Sequence, residues 1–127
     1  MGTFTTTVEL GDPGGRRWRQ VDVLVDRGAT FTMLPRFRLE QLGVRPQDKA
    51  PFELADGRSV EFDVGETSVR IGNRARTTLV IFGDNGLQPH LGAHTLEAFL
   101  LAVDPVSRRL VPVSGLLKRS GRTSRRS

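Results

Sequence analysis

The chain has 127 residues, 37% hydrophobic and 26% charged, which suits one globular domain with a single core and excludes two separate lobes. It has no cysteine, which excludes disulfides, cysteine-ligated zinc and a thiol nucleophile and fits a reducing compartment. The net charge of +5 is unevenly placed: residues 105–127 hold seven of the 19 basic residues and no acid, while the rest of the chain holds 12 basic and 14 acidic residues.

The first stretch, "MGTFTTTVEL", has no basic n-region and no apolar h-region, so no signal peptide is expected. Its Phe4, Thr6, Val8 and Leu10 alternate as a β-strand does. Met1-Gly2 with Thr6 also fits the loose myristoylation pattern, but a first strand accounts for the same letters. "GDPGG" reads as a turn and "RRWRQVDVLVD" as a second strand, so the two strands form a hairpin. The end of that strand, "VLV", is apolar on both faces and is expected to enter the core. "PRFRLEQLG" predicts a short helix, with Pro35 as its first residue and Gly43 as its C-terminal cap. "PFELADGRSVEFDV" predicts two short strands around Asp56-Gly57. "TSVRIG" and "ARTTLVIFG" predict a further hairpin around Asn73-Arg74. "GAHTLEAFL" predicts one or two helical turns, and "LAVDPVSRRLVPV" two closing strands around Pro-Val-Ser-Arg.

These elements amount to about eight strands and two short helices, an all-β pattern with the turn spacing of a small sandwich or barrel. "LKRSGRTSRRS" is rich in Ser, Gly and Arg and reads as a disordered basic tail. The expected organisation is therefore a domain over 1–115 and a tail over 116–127. No apolar run approaches the roughly 18 residues that span a membrane, so a membrane partner is not expected and the cytoplasm is the expected location.

One stretch carries candidate chemistry: "LVDRGATFTMLP", residues 24–35. Asp26 ends the most apolar strand and is followed by Gly28, Ala29 and Thr30. A carboxylate there needs hydrogen bonds or a partner. Small neighbours let backbone N–H groups approach it, and Gly28 permits backbone angles that other residues avoid. The same letters also describe an ordinary Asx-turn, so the residues alone leave a structural and a functional aspartate both open.

"VDVLVDRGATFTMLP" resembles the active-site motif of retropepsin-like aspartic proteases, the single-lobe relatives of pepsin, in which two apolar residues precede Asp-Thr/Ser-Gly-Ala/Ser. "LGVRP", the "ADG" hairpin and "HLGAHTLEAFLLAVDPVSRRLVPV" are similar to small bacterial members of that group. The second family signature, two apolar residues and Gly before a short helix, corresponds to His90-Leu91-Gly92, with His90 in place of the first apolar residue. The resemblance covers about residues 3–115. It implies a closed acid-protease barrel that dimerises about a twofold axis, with Asp26 as the catalytic residue of each subunit. It further implies an active-site loop of Arg27, Gly28, Ala29 and Thr30, a flap with Ala55, Asp56 and Gly57 at its tip, and a second motif at Leu91 and Gly92. The implied substrate is a peptide or protein, with no cofactor and no metal.

The chain departs from the family at Arg27, where members carry Thr or Ser. That hydroxyl bonds the other subunit's loop, whereas Arg has no acceptor and is far larger. Two guanidinium groups near one axis also oppose two carboxylates sharing one proton. Three readings stay open: Arg27 turns outward and is tolerated, it silences catalysis and leaves a peptide-binding dimer, or it is an isolated change. Asp84-Asn85-Gly86 also spells Asp-x-Gly, but Asn-Gly is a turn signature and the triplet lies outside an apolar strand end. His90 and His94 have the i, i+4 spacing of a zinc helix, but no Glu follows His90 and no third ligand is evident. Nucleic-acid binding would rest on the basic tail, residues 118–126, alone.

Overall fold

Alternation builds the first hairpin. In the computed structural model, which describes residues 3–26 and 28–113, β1 (Phe4–Gly11) pairs antiparallel with β2 (Trp18–Val25). Every second residue of each strand turns inward, so Val8 and Leu10 meet Val21, Val23 and Val25 in the core. The turn between them is held by Asp12, whose carboxylate accepts the N–H groups of Arg16 and Arg17.

Next come β3 (Thr32–Pro35), α1 (Arg36–Gln41), β4 (Asp48–Glu53), β5 (Ser59–Ile71) and β6 (Arg74–Gly83). They are followed by β7 (His90–Leu91), α2 (Ala93–Ala98), β8 (Leu101–Asp104) and β9 (Arg109–Pro112). The described residues thus hold nine strands and two short helices, a mostly β fold. Seven strands form one sheet in the order β1-β2-β7-β3-β6-β5-β4, and β8 and β9 form a separate pair. β1 also pairs with β5 through Glu9↔Arg70 and Leu10↔Val69. Two interactions reinforce that junction: Arg70 donates to Glu9 at 2.6 Å, and its guanidinium lies 4.1 Å from the Trp18 ring centroid. α1 buries Leu39, and α2 buries Thr95 and Leu96. Leu39, Leu96 and Phe99 complete the core begun by β1 and β2.

Three sequence expectations need correction. "SVEFDV" and "TSVRIG" are one 13-residue strand, β5, which runs without a break through Gly65. Glycine is required there by close approach, since a Cβ would stand 2.8 Å from the Arg45 carbonyl oxygen. The turn between β5 and β6 is Gly72-Asn73 rather than Asn73-Arg74, because Ile71 pairs with Arg74 and Gly72 takes a φ of +64°. Pro35 ends β3 and caps α1, and the helix itself starts at Arg36. The basic tail, residues 116–127, lies outside the described residues, as does the Met1-Gly2 pair. No helix among the described residues is long and apolar enough to cross a membrane.

Candidate active site

Strand parity sets the direction of Asp26. Val21, Val23 and Val25 of β2 face the core, which leaves Leu24 and Asp26 on the opposite side. Immediately after β2 the chain turns. The Asp26 Oδ1 accepts the Gly28 N–H at 2.9 Å, and the Asp26 carbonyl accepts the Ala29 N–H at 3.0 Å. The Asx-turn that the letters allow is therefore present, and the half-buried carboxylate sits at its mouth. Arg27 lies outside the described residues.

A second segment holds this loop from behind. Ala93 N–H donates to the Ala29 carbonyl at 2.9 Å, and His94 N–H donates to the Thr30 carbonyl at 2.8 Å. β7 runs parallel to the end of β2, and Leu24 N–H donates to the Pro89 carbonyl at 2.8 Å. Gly92 packs against the backbone of Phe31 so closely that a Cβ would stand 2.6 Å from the Phe31 oxygen. Leu91 is buried beside Val25. The second motif therefore supports the first: Leu91 anchors it in the core, and Gly92 gives the loop room.

Below the loop lies a buried chain of hydroxyls. Thr95 Oγ1 is 2.5 Å from Thr32 Oγ1 and 3.0 Å from Thr78 Oγ1, and Thr32 Oγ1 accepts the Gly92 N–H at 3.0 Å. All three threonines are at most 4% exposed. They come from β3, β6 and α2, so this network ties the strand after the loop to the second motif. Satisfied polar groups at this depth fix one geometry, because an unpaired hydroxyl there is costly.

A cleft of about 630 Å³ opens above Asp26, Gly28, Ala29 and Thr30. Phe31, Met33, Phe52, Phe62, Ile81 and Leu87 make most of its lining apolar, and His90 stands among them. The hairpin of β4 and β5 forms the roof. Phe52 sits edge-on to Phe31 with ring centroids 5.7 Å apart, and Phe62 lies 5.9 Å from Phe52. At the hairpin tip, Ala55, Asp56 and Gly57 form a tight turn in which Gly57 N–H donates to the Leu54 carbonyl at 2.9 Å. Gly57 has a φ of +88°, where a side chain would be strained. The Asp56 carboxylate accepts the Arg58 N–H and the Arg58 Nε–H, which hold it below the ordinary carboxylate range.

The other sequence candidates fall elsewhere. Asp84-Asn85-Gly86 forms a turn, with Leu87 N–H donating to the Asp84 carbonyl and Asn85 Oδ1 accepting the Phe37 N–H. Asp84 borders a separate cavity beside Arg36 and Asp63. His90 is bonded through Nδ1 to the Gln88 carbonyl at 2.7 Å, and the exposed His94 ring lies 5.8 Å from Phe31. Among the described residues no group of three His, Cys, Asp or Glu side chains is placed to hold a metal ion. The aromatic roof and the threonine network were not anticipated from the sequence. Phe52 and Phe62 share one hairpin face, so their parity about the Asp56-Gly57 turn was the available signal. The threonines carry no local signal.

No curated protein matches the chain. The family model described as aspartyl protease matches residues 6–98, a span that contains the Asp26 loop, the hairpin and the second motif. The chain belongs to the aspartyl protease family, within its retropepsin-like group.

Proposed function

We propose that the protein is an endopeptidase in which two Asp26 residues, one from each subunit of a twofold homodimer, activate a water against a peptide bond. The observation that carries this reading is the position of Asp26: a half-buried carboxylate on a braced turn, at the floor of an apolar cleft, inside the span matched by the family. Among the described residues the only other carboxylate bordering the cleft is Glu53. It alternates with Phe52 and Leu54 and is the exposed member of that run, so it serves poorly as a partner. A second copy of Asp26 supplies the missing carboxylate. A closed barrel fits as the scaffold, because the β1–β5 pairing joins two strands otherwise remote in the sheet order.

Two carboxylates at van der Waals distance do not both ionise, so the pair holds one proton. The ionised member takes a proton from the water, and the protonated member donates to the scissile carbonyl. The resulting titration belongs to the pair. An extended peptide lies along the cleft under the β4–β5 hairpin, and the hairpin closes over it as a flap hinged about its Gly57 turn.

Arg27 favours a second reading, a dimer that binds peptides and leaves them intact. Both readings are tested by incubating a mixed peptide library, at acidic to neutral pH, with the protein, Asp26→Asn and Arg27→Thr. Cleavage that Asp26→Asn abolishes is the expected result. Cleavage that persists in Asp26→Asn rejects the mechanism, and cleavage by Arg27→Thr alone shows an intact scaffold silenced by one residue and favours the binding reading.

A further inference from the structure

A row of side chains crosses four strands, and three of its members, His90, Met33 and Ile81, line the cleft. Leu24 pairs with His90, His90 with Met33, and Met33 with Ile81, so all four point to the same side of the sheet. Their chain neighbours Val25, Leu91, Leu34 and Val80 face the core and are buried. His90 is thus the polar member of an otherwise apolar row. Its Nδ1 lies 2.7 Å from the Gln88 carbonyl oxygen, which only accepts. Nδ1 therefore carries a proton, and in the neutral ring Nε2 is left as an acceptor. Among the described residues Nε2 has no hydrogen-bond partner.

We propose that His90 is a specificity-determining residue, and that its free Nε2 makes the cleft prefer a tyrosine side chain of the substrate over phenylalanine. This rests on the reading of the cleft as a peptide site. The lining dictates the occupant. Phe31, Phe52 and Phe62 are packed ring against ring into one continuous aromatic surface of the cleft, against which another ring can pack. Because His90 lines the same cleft, a ring packed on that surface can turn its para position toward it. A phenol at that position donates to Nε2, while the same position in phenylalanine leaves Nε2 without a partner. Serine, threonine and asparagine can donate but leave the aromatic wall uncovered. Aspartate and glutamate offer no proton to the neutral ring and add a negative charge to a cleft that already contains Asp26 and Glu53. The half-exposed position of His90 limits the effect to that of one solvent-accessible hydrogen bond, about 3- to 10-fold.

The test uses pairs of peptides that differ only by Tyr or Phe, with the pair moved through each position flanking the scissile bond. The unsubstituted protein is compared with His90→Leu and His90→Gln. At one position the kcat/KM ratio of Tyr to Phe is expected to be about 3–10, to fall to about 1 in His90→Leu, and to be partly retained in His90→Gln, whose amide oxygen also accepts. Equal thermal midpoints among the three proteins exclude a folding defect. In parallel, binding of the same pairs with a reduced, uncleavable bond is measured on Asp26→Asn. A binding ratio that depends on His90, without cleavage by the unsubstituted protein, upholds the role of His90 and rejects the protease reading. A ratio near 1 at every position, or one unchanged in His90→Leu, overturns the role of His90 while leaving the protease reading intact. Loss of both cleavage and binding rejects both.

Discussion

Thr95→Val probes the support of the Asp26 loop without touching the cleft. The substitution keeps the β-branched shape and removes one hydroxyl from a site that is fully buried. Two hydrogen bonds are lost, at 2.5 Å to Thr32 and 3.0 Å to Thr78. Thr32 keeps the Gly92 N–H as a donor to its oxygen, but loses its hydroxyl partner. Thr78, only 4% exposed, loses the partner that Thr95 provided. A buried polar group left unpaired costs about 1–3 kcal/mol. One full and one partial loss therefore give about 2–4 kcal/mol, a large share of the roughly 5–15 kcal/mol that holds a domain folded. Urea denaturation measures it: the midpoint is expected to fall with the slope unchanged, and Thr95→Ser is expected to recover most of the loss. A destabilisation below about 0.5 kcal/mol would refute the reasoning, since it would mean that water or a small rearrangement satisfies Thr32 and Thr78 at no cost.

Other perturbations have definite expected outcomes. Gly92→Ala forces a Cβ into the Phe31 backbone, so stability is expected to drop by about 1–3 kcal/mol and cleavage to fall further than stability explains; thermal and kinetic measurements on one preparation separate the two. Asp63 is held below the ordinary carboxylate range by hydrogen bonds from Arg36 first and Lys49 second. The stability this contributes is fully present above the unfolded value near 3.9 and is lost as pH falls through the lower folded value. Denaturation midpoints of the protein and Asp63→Asn are therefore expected to differ at pH 6 and to converge toward pH 2, and a constant gap would contradict this. Gly57→Val puts a branched side chain at a φ of +88°, which costs about 1–2 kcal/mol and is expected to lower kcat/KM by disturbing the hairpin tip; an unchanged value would remove that turn from the mechanism.

Local patterns were readable where a segment contains its own partner. The β1–β2 hairpin, the Asp56-Gly57 turn, both helices and the closing β8–β9 pair are each written in neighbouring residues. β3 and β7 are different: four and two residues are too short to show a period, and they become strands because β6 and β2 lie beside them. Gly65 looks like a break in sequence, but it is a close approach within one long strand. The position of Asp26 was legible because apolar alternation delivers it to a strand end, and the need for Gly92 is explained by the Phe31 backbone behind it. The threonine network and the Phe31–Phe52 contact join segments more than 15 residues apart, and nothing in any single segment announces them.

The central claim is that one active site draws an Asp26 from each of two subunits, and subunit mixing tests it directly. Asp26→Asn is co-refolded with the unsubstituted protein at fixed total concentration, and cleavage is measured as the fraction of unsubstituted subunits is varied. A shared site predicts activity that follows the square of that fraction, so equal mixing leaves about one quarter of the rate. A linear decline, with about one half remaining at equal mixing, would mean that each subunit works alone and would contradict the account.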